Sequence, residues 1–236
     1  MALPKLNVPQ YNVKLPSTGK TVKYRPFLVK EEKLLFLAME SGESADMIDA
    51  VKNILLSCTD LKDVSHLSTF DIEYLFLKIR TRSVGENVEV MLTCPDDNET
   101  QAQVAIPLDA IEVVSDPDHK QEIKLTDEVI IKMNYPSLDM FVKMNLEGKT
   151  PGMDEIFELA ASCAESISDK DQVYLCKDTP KKELMEFFEN MNSKQFGDIQ
   201  KFFETMPKLS HKVKVKNPKT EVESEVTLEG LAAFFA

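Results

Sequence analysis

Two hydrophobic periods alternate along this chain. Apolar side chains take every second position over residues 11–15 and 21–25, either side of Pro16-Ser17-Thr18-Gly19-Lys20, which predicts a first β-hairpin with a Pro/Gly turn. Pro26 closes it, and the period becomes helical over residues 29–39, with Glu31 and Glu32 early, where carboxylates suit the helix dipole. Gly42 stops that helix, and Ser44 caps a second one to residue 57, with Met47, Ile48, Val51, Ile54 and Leu55 on one stripe. Ser68 or Thr69 caps a third over residues 70–82, in which Ile72, Leu75, Phe76 and Ile79 form the buried face and Gly85 marks the end. Alternation returns over residues 88–94 and 101–106 around Pro95-Asp96-Asp97-Asn98, a second hairpin that runs into Leu108-Asp109-Ala110-Ile111.

Ser115-Asp116-Pro117-Asp118-His119 reads as a linker, after which the plan restarts. Residues 122–125 and 129–134 make a hairpin around Thr126-Asp127 that runs into Tyr135-Pro136, as the first runs into Pro26. Helices are predicted over residues 137–146 and 153–166, then a short extended piece over 173–175. A helix with Pro180 in its first turn runs to residue 191, and one opened by Ser193 runs to Met206, where Pro207 ends it. Residues 211–236 then alternate, turn at Asn217-Pro218-Lys219-Thr220, alternate again and finish on Leu231-Ala232-Ala233-Phe234-Phe235-Ala236. With one gap, Pro95 falls on Pro218 and Val104 on Val226. The expectation is therefore an α+β fold of two similar halves, residues 1–115 and 116–236, each with β-hairpins flanking a small helical bundle, a likeness that either a duplication or a common local solution used twice would give.

Composition narrows the chemistry. A net charge of −12, spread along the chain, repels phosphate backbones and anionic membrane surfaces, so neither nucleic acid nor membrane is an expected partner. The lysines between 208 and 219 alternate with valines, as on the wet face of a strand. The start of the chain has no basic and apolar leader, and no apolar run reaches bilayer length. Cys58, Cys94, Cys163 and Cys176 are far apart and form no CxxC pair, which fits free thiols in a reducing cytoplasm.

His66, His119 and His211 have neither a cysteine nor a carboxylate at ligand or triad spacing, so no Ser-His or Cys-His nucleophile is expected. There is no HExxH, GxSxG, GxxxxGK[ST] or GxGxxG motif. Asp96-Asp97-Asn98-Glu99 lacks the glycine and ligand spacing of a calcium loop and reads as turn chemistry. No catalytic, cofactor-binding or metal residue is therefore assigned. The adjacent aromatics Phe187-Phe188 and Phe202-Phe203 read as wide buried helix faces. Leu231, Phe234 and Phe235, in the apolar exit, are the candidate partner-binding residues, docking either on this chain or on a neighbour.

Residues 24–35 (YRPFLVKEEKLL), 71–80 (DIEYLFLKIR) with Ser83-Val84-Gly85-Glu86, Met206 to His211 and Leu228 to Phe235 resemble the T4-type phage baseplate protein family. That family holds the baseplate hub subunit and a hub assembly factor of contractile-tailed phages. The resemblance implies a non-enzymatic protein of the hub, or central spike complex, made late in infection in the host bacterial cytoplasm and bound to other hub and tail proteins. It also admits a transient assembly catalyst or chaperone absent from the mature virion. A tail-tip cell-wall hydrolase is a third reading, which needs a carboxylate pair in a cleft. Some relatives carry Cys-Pro-x-Cys in both second-hairpin turns. This chain keeps Cys94-Pro95 in one and Asn217-Pro218 in the other.

Overall fold

The computed structural model describes residues 6–137 and 153–230. The strands are β1 (Tyr11–Lys14), β2 (Thr21–Tyr24), β3 (Asn87–Thr93), β4 (Gln101–Pro107), β5 (Glu112–Val114), β6 (Glu122–Lys124), β7 (Ile130–Met133), β8 (Ala164–Ser168), β9 (Val173–Leu175), β10 (Lys208–Lys216) and β11 (Glu223–Glu229). The helices are α1 (Val29–Ser41), α2 (Ser44–Cys58), α3 (Thr69–Val84), α4 (Met153–Cys163), α5 (Lys181–Glu189) and α6 (Ser193–Thr205). The fold is α+β, with helices and small antiparallel sheets segregated along the chain.

Two compact units form. One joins the described residues up to Val114 to those from Lys208 onward, and the other is Ser115–Pro207. This differs from a division into residues 1–115 and 116–236, because the C-terminal hairpin leaves the second half and returns to the first unit. The reason is strand pairing plus burial. β10 pairs antiparallel with β5 (Lys208↔Val114, Leu209↔Val113, Ser210↔Glu112), making a sheet of order β11-β10-β5. Its inward residues Leu209, Val213 and Val215 join Val90, Ile106, Leu108, Ile111 and Leu77 of α3 in one core. A two-stranded ribbon has little stability alone, and each large apolar side chain buried is worth about 1.5–3 kcal/mol.

α3 is the axis of this unit. Phe70, Ile72, Leu75, Phe76, Leu77 and Ile79 are all buried, a wider face than the four residues predicted from its stripe. The β1–β2 hairpin lies across the end of α2: Arg25 N–H donates to Cys58 O at 2.8 Å and Asp60 N–H to Lys23 O at 3.1 Å.

The second unit is a four-stranded antiparallel sheet of order β6-β7-β8-β9 with α4, α5 and α6. Ile123, Ile131, Met133, Ala160, Leu184, Phe188, Ile199 and Phe202 form its core. Phe188 and Phe202 are buried, while Phe187 and Phe203 meet them edge-on, at centroid distances of 5.9 and 5.1 Å, from the partly buried rim. Two local expectations are corrected. The helix predicted over residues 153–166 ends at Cys163, and Ala164–Ser168 is the strand β8, which pairs with both β7 and β9. β5 was hidden in the sequence by its shortness, and pairing with β10 reveals it. The helix predicted over residues 137–146 lies, from residue 138, outside the described residues.

His119, read as a linker residue, is half-buried between Tyr135 and Phe202 at centroid distances of 5.7 and 5.1 Å. The Thr205 hydroxyl donates to Lys201 O at 2.7 Å, so it accepts from His119 Nδ1–H at 3.0 Å, and in the neutral imidazole, the form that burial favours, Nε2 accepts from the Tyr135 hydroxyl at 3.2 Å. Burial pushes its pKa below 6.5, against the pull of Asp116. The unfolded chain therefore binds this proton more readily. His119 contributes stability that is whole above about pH 6.5 and is lost as pH falls through the lower folded value. The melting temperature of the second unit is expected to fall between about pH 7 and pH 5, and His119→Gln to flatten that slope. An unchanged slope in the variant, followed by calorimetry, would show that this site does not set it.

Candidate functional site

Two of the stretches that carry the family resemblance, residues 24–35 and 71–86, form a set of polar joints. Arg25 donates to Glu31 Oε1 at 3.0 Å, to Ser57 O at 2.9 Å and to Pro26 O at 2.9 Å. Glu31 is buried, and its other oxygen accepts the Leu28 N–H at 2.8 Å, satisfying a donor at the start of α1. Burial opposes ionisation of Glu31, but bonds from Arg25, Leu28 and Lys30 outweigh it and hold the carboxyl below the usual range. Buried Asp71 accepts the Ser17 N–H at 3.0 Å and also the Ser17 hydroxyl, tying the first hairpin turn to α3. Phe27 N–H donates to Ser83 Oγ at 2.9 Å, and Arg82 pairs with Glu86 at 2.9 Å. These motifs join the first hairpin, α1, α2 and α3.

The groups with reactive potential are differently placed. All four cysteines are buried free thiols. Burial raises each, Cys58 to about 11 and Cys163 to about 12, so they stand as protonated thiols rather than nucleophiles. Cys58 borders an open cleft with Lys23, Tyr24, Arg25, Thr59 and Asp60. His66 is exposed and meets the exposed Asp63 carboxylate at 3.4 Å. His211 lies in β10 opposite Leu228. Asp97 accepts Glu99 N–H at 3.1 Å, Thr100 N–H at 3.0 Å and the Thr100 hydroxyl at 2.6 Å, which is turn chemistry. Among the described residues no group of three or more His, Cys, Asp or Glu is placed to hold a metal ion.

Contact surface is what the described residues do present. α1 buries Glu31 and Ala38 on its inner side, yet Val29, Phe36 and Leu37 on its outer side are 79, 59 and 51 % exposed. Apolar side chains grouped on the exposed side of a helix make a candidate contact surface. The run Leu34-Leu35-Phe36-Leu37-Ala38, too long for one stripe, was the signal in the sequence. At the edge of its sheet, β9 exposes all of Val173, Tyr174 and Leu175. Leu231, Phe234 and Phe235, the predicted partner-binding residues, lie outside the described residues. The chain reaches them through Gly230, whose N–H donates to Leu209 O at 2.9 Å. Gly230 adopts φ +71°, and a Cβ there would lie 3.8 Å from Glu73 Oε1 of α3.

The described surface therefore offers apolar contact area and no assembled reactive centre. Residues 8–236 match the family described as T4 bacteriophage base plate protein, and the chain belongs to that family. No curated protein and no solved structure matches it. Membership gives the chain a structural role in the phage tail baseplate, in contact with other tail or baseplate proteins. No helix among the described residues is long and apolar enough to cross a membrane.

Proposed function

We propose that the chain serves the hub, or central spike complex, of the baseplate as a structural or assembly protein that works by docking rather than by catalysis. The outward apolar stripe of α1, in a chain of the baseplate family, is the observation that carries this reading. Val29, Phe36 and Leu37 form a patch suited to the aromatic and aliphatic anchors of a neighbouring hub protein. Leu231, Phe234 and Phe235 supply a second anchor. Assembly takes place in the host bacterial cytoplasm, before the tail is complete.

Co-expression with the neighbouring hub proteins, followed by pull-down, tests the proposal. Phe36→Asp is expected to weaken capture by at least about tenfold, the effect of losing a contact worth more than 1.4 kcal/mol, with no change in melting. A chain ending at Gly230 is expected to lose capture as well. If that truncation leaves complexes intact while the free chain unfolds, the C-terminal segment is an internal staple instead. Full capture by both variants would overturn the docking reading. Purified particles decide the alternative: a chain that is absent from them is a transient assembly factor.

A further inference from the structure

The turns of the β3–β4 and β10–β11 hairpins are built alike. In the first, Cys94 N–H donates to Thr100 O at 2.8 Å and Asn98 N–H returns to Cys94 O at 2.9 Å. In the second, Asn217 N–H donates to Val222 O and Glu221 N–H returns to Asn217 O, both at 2.9 Å. Asn98 and Glu221, each the fifth residue of its turn, take the left-handed conformation at φ 55° and 62°. Proline is second in both turns. Position for position, Cys94 and Asp97 answer to Asn217 and Thr220.

The two tips are also bonded to each other. Asn217, with no accessible surface, donates through Nδ2 to both oxygens of Asp96 and to Asp97 Oδ2, each at 3.0 Å. Its Oδ1 accepts Lys219 N–H at 2.8 Å and Thr220 N–H at 3.2 Å, which fixes the amide with its nitrogen toward the carboxylates. The Thr220 hydroxyl donates to Asp96 as well. Bonds from Thr220 and Asn217 hold Asp96 below the usual carboxylate range, and Asp97 is held lower still by Thr100, Glu99 and Asn217. Charge-assisted bonds of this kind are about twice as strong as neutral ones.

Cys-Pro-x-Cys in both turns, which the family resemblance implies for some members, would put four thiols at the positions of Cys94, Asp97, Asn217 and Thr220. A structural zinc site is closed by four thiolate or imidazole ligands. Here one thiol is present, and it is buried with its proton retained, while the neighbouring carboxylates are committed to amide and hydroxyl donors. These residues do not fit a metal. We infer that the two hairpin tips are held by a metal-free, hydrogen-bonded clasp in place of the metal junction that four thiols there would make. The clasp spans over a hundred residues of sequence and holds β10–β11, with its exit at Gly230, on the core shared with β3–β4.

The test uses the full chain expressed in zinc-containing medium. No stoichiometric metal is expected by mass spectrometry, and EDTA should leave melting and amide exchange unchanged. Asn217→Ala removes every bond its amide makes and should speed exchange of the tip amides by at least about tenfold, the effect of losing even one bond to a charged group. Asn217→Asp should speed it further, by setting a third carboxylate against two. If Asn217→Ala unfolds outright, Thr220→Val reads the same clasp through one bond. One bound metal per chain whose removal lowers the melting temperature would overturn the inference. So would wild-type exchange rates in both Asn217→Ala and Thr220→Val.

Discussion

Glu31→Ala is expected to destabilise the first unit by up to about 3–5 kcal/mol, the range for removing one partner of a buried ion pair, Glu31 being buried and Arg25 20 % exposed. Three losses coincide. The Arg25 guanidinium keeps its position at the end of α2 but loses its carboxylate at 3.0 Å. The Leu28 N–H at the helix start loses its acceptor, and the volume of a buried side chain is vacated. Glu31→Gln, which retains an acceptor oxygen, should cost less. The pH dependence carries the same signature. The folded carboxyl is held below its ordinary value, so its contribution is complete above about pH 4.3 and drains away as pH falls through the folded value. Urea unfolding at neutral and acid pH, with the variant lacking the acid limb, would check both. A cost within about 1 kcal/mol of zero would mean that the joint is solvent-relaxed and worth no more than a surface pair.

Phe188→Ala should be as severe, about 3–5 kcal/mol, because a large ring leaves a cavity that a close-packed core closes only in part. Phe188 is 1 % exposed and sits among Leu184, Ile199, Phe202 and Ile131. The location of the effect is the sharper part of the prediction. Each unit has its own core, and Phe188 belongs to that of Ser115–Pro207 alone. Hydrogen exchange should therefore quicken in β6, β7, β8, α5 and α6 while β3, β4, β10 and β11 keep their protection. Equal loss throughout would show that the units unfold as one, and would also remove any meaning from the division at Lys208.

Much of this fold is legible in the sequence alone. The hairpins around Gly19, Asp96 and Pro218 and the helices α1, α2 and α3 stand where alternation and helical spacing put them. So do the buried Phe188 and Phe202, since a wide apolar face on a short helix has one economical use. Residues 164–168 misled because Ala-Glu-Ser-Ile-Ser continues a helical stripe as readily as it forms a strand. The choice was made by β7 on one side and β9 on the other, neither of them local. β5, at three residues, is below the length at which alternation can register. The outward face of α1 was present in the sequence as Leu34-Leu35-Phe36-Leu37-Ala38, but which of these face inward depends on what α1 packs against.

By itself, then, the sequence determined the types and order of most elements, the family, and the likeness of the Cys94 and Asn217 turns, because these follow from spacing within a few residues or from motifs read directly. Only the tertiary structure decided that the C-terminal hairpin leaves its own half to complete the first unit, that the Cys94 and Asn217 tips meet through Asp96 and Asp97, and that α1 shows an apolar face outward. Those outcomes depend on contacts between residues far apart in the chain. Burial and strand pairing over that distance leave no mark in a local period.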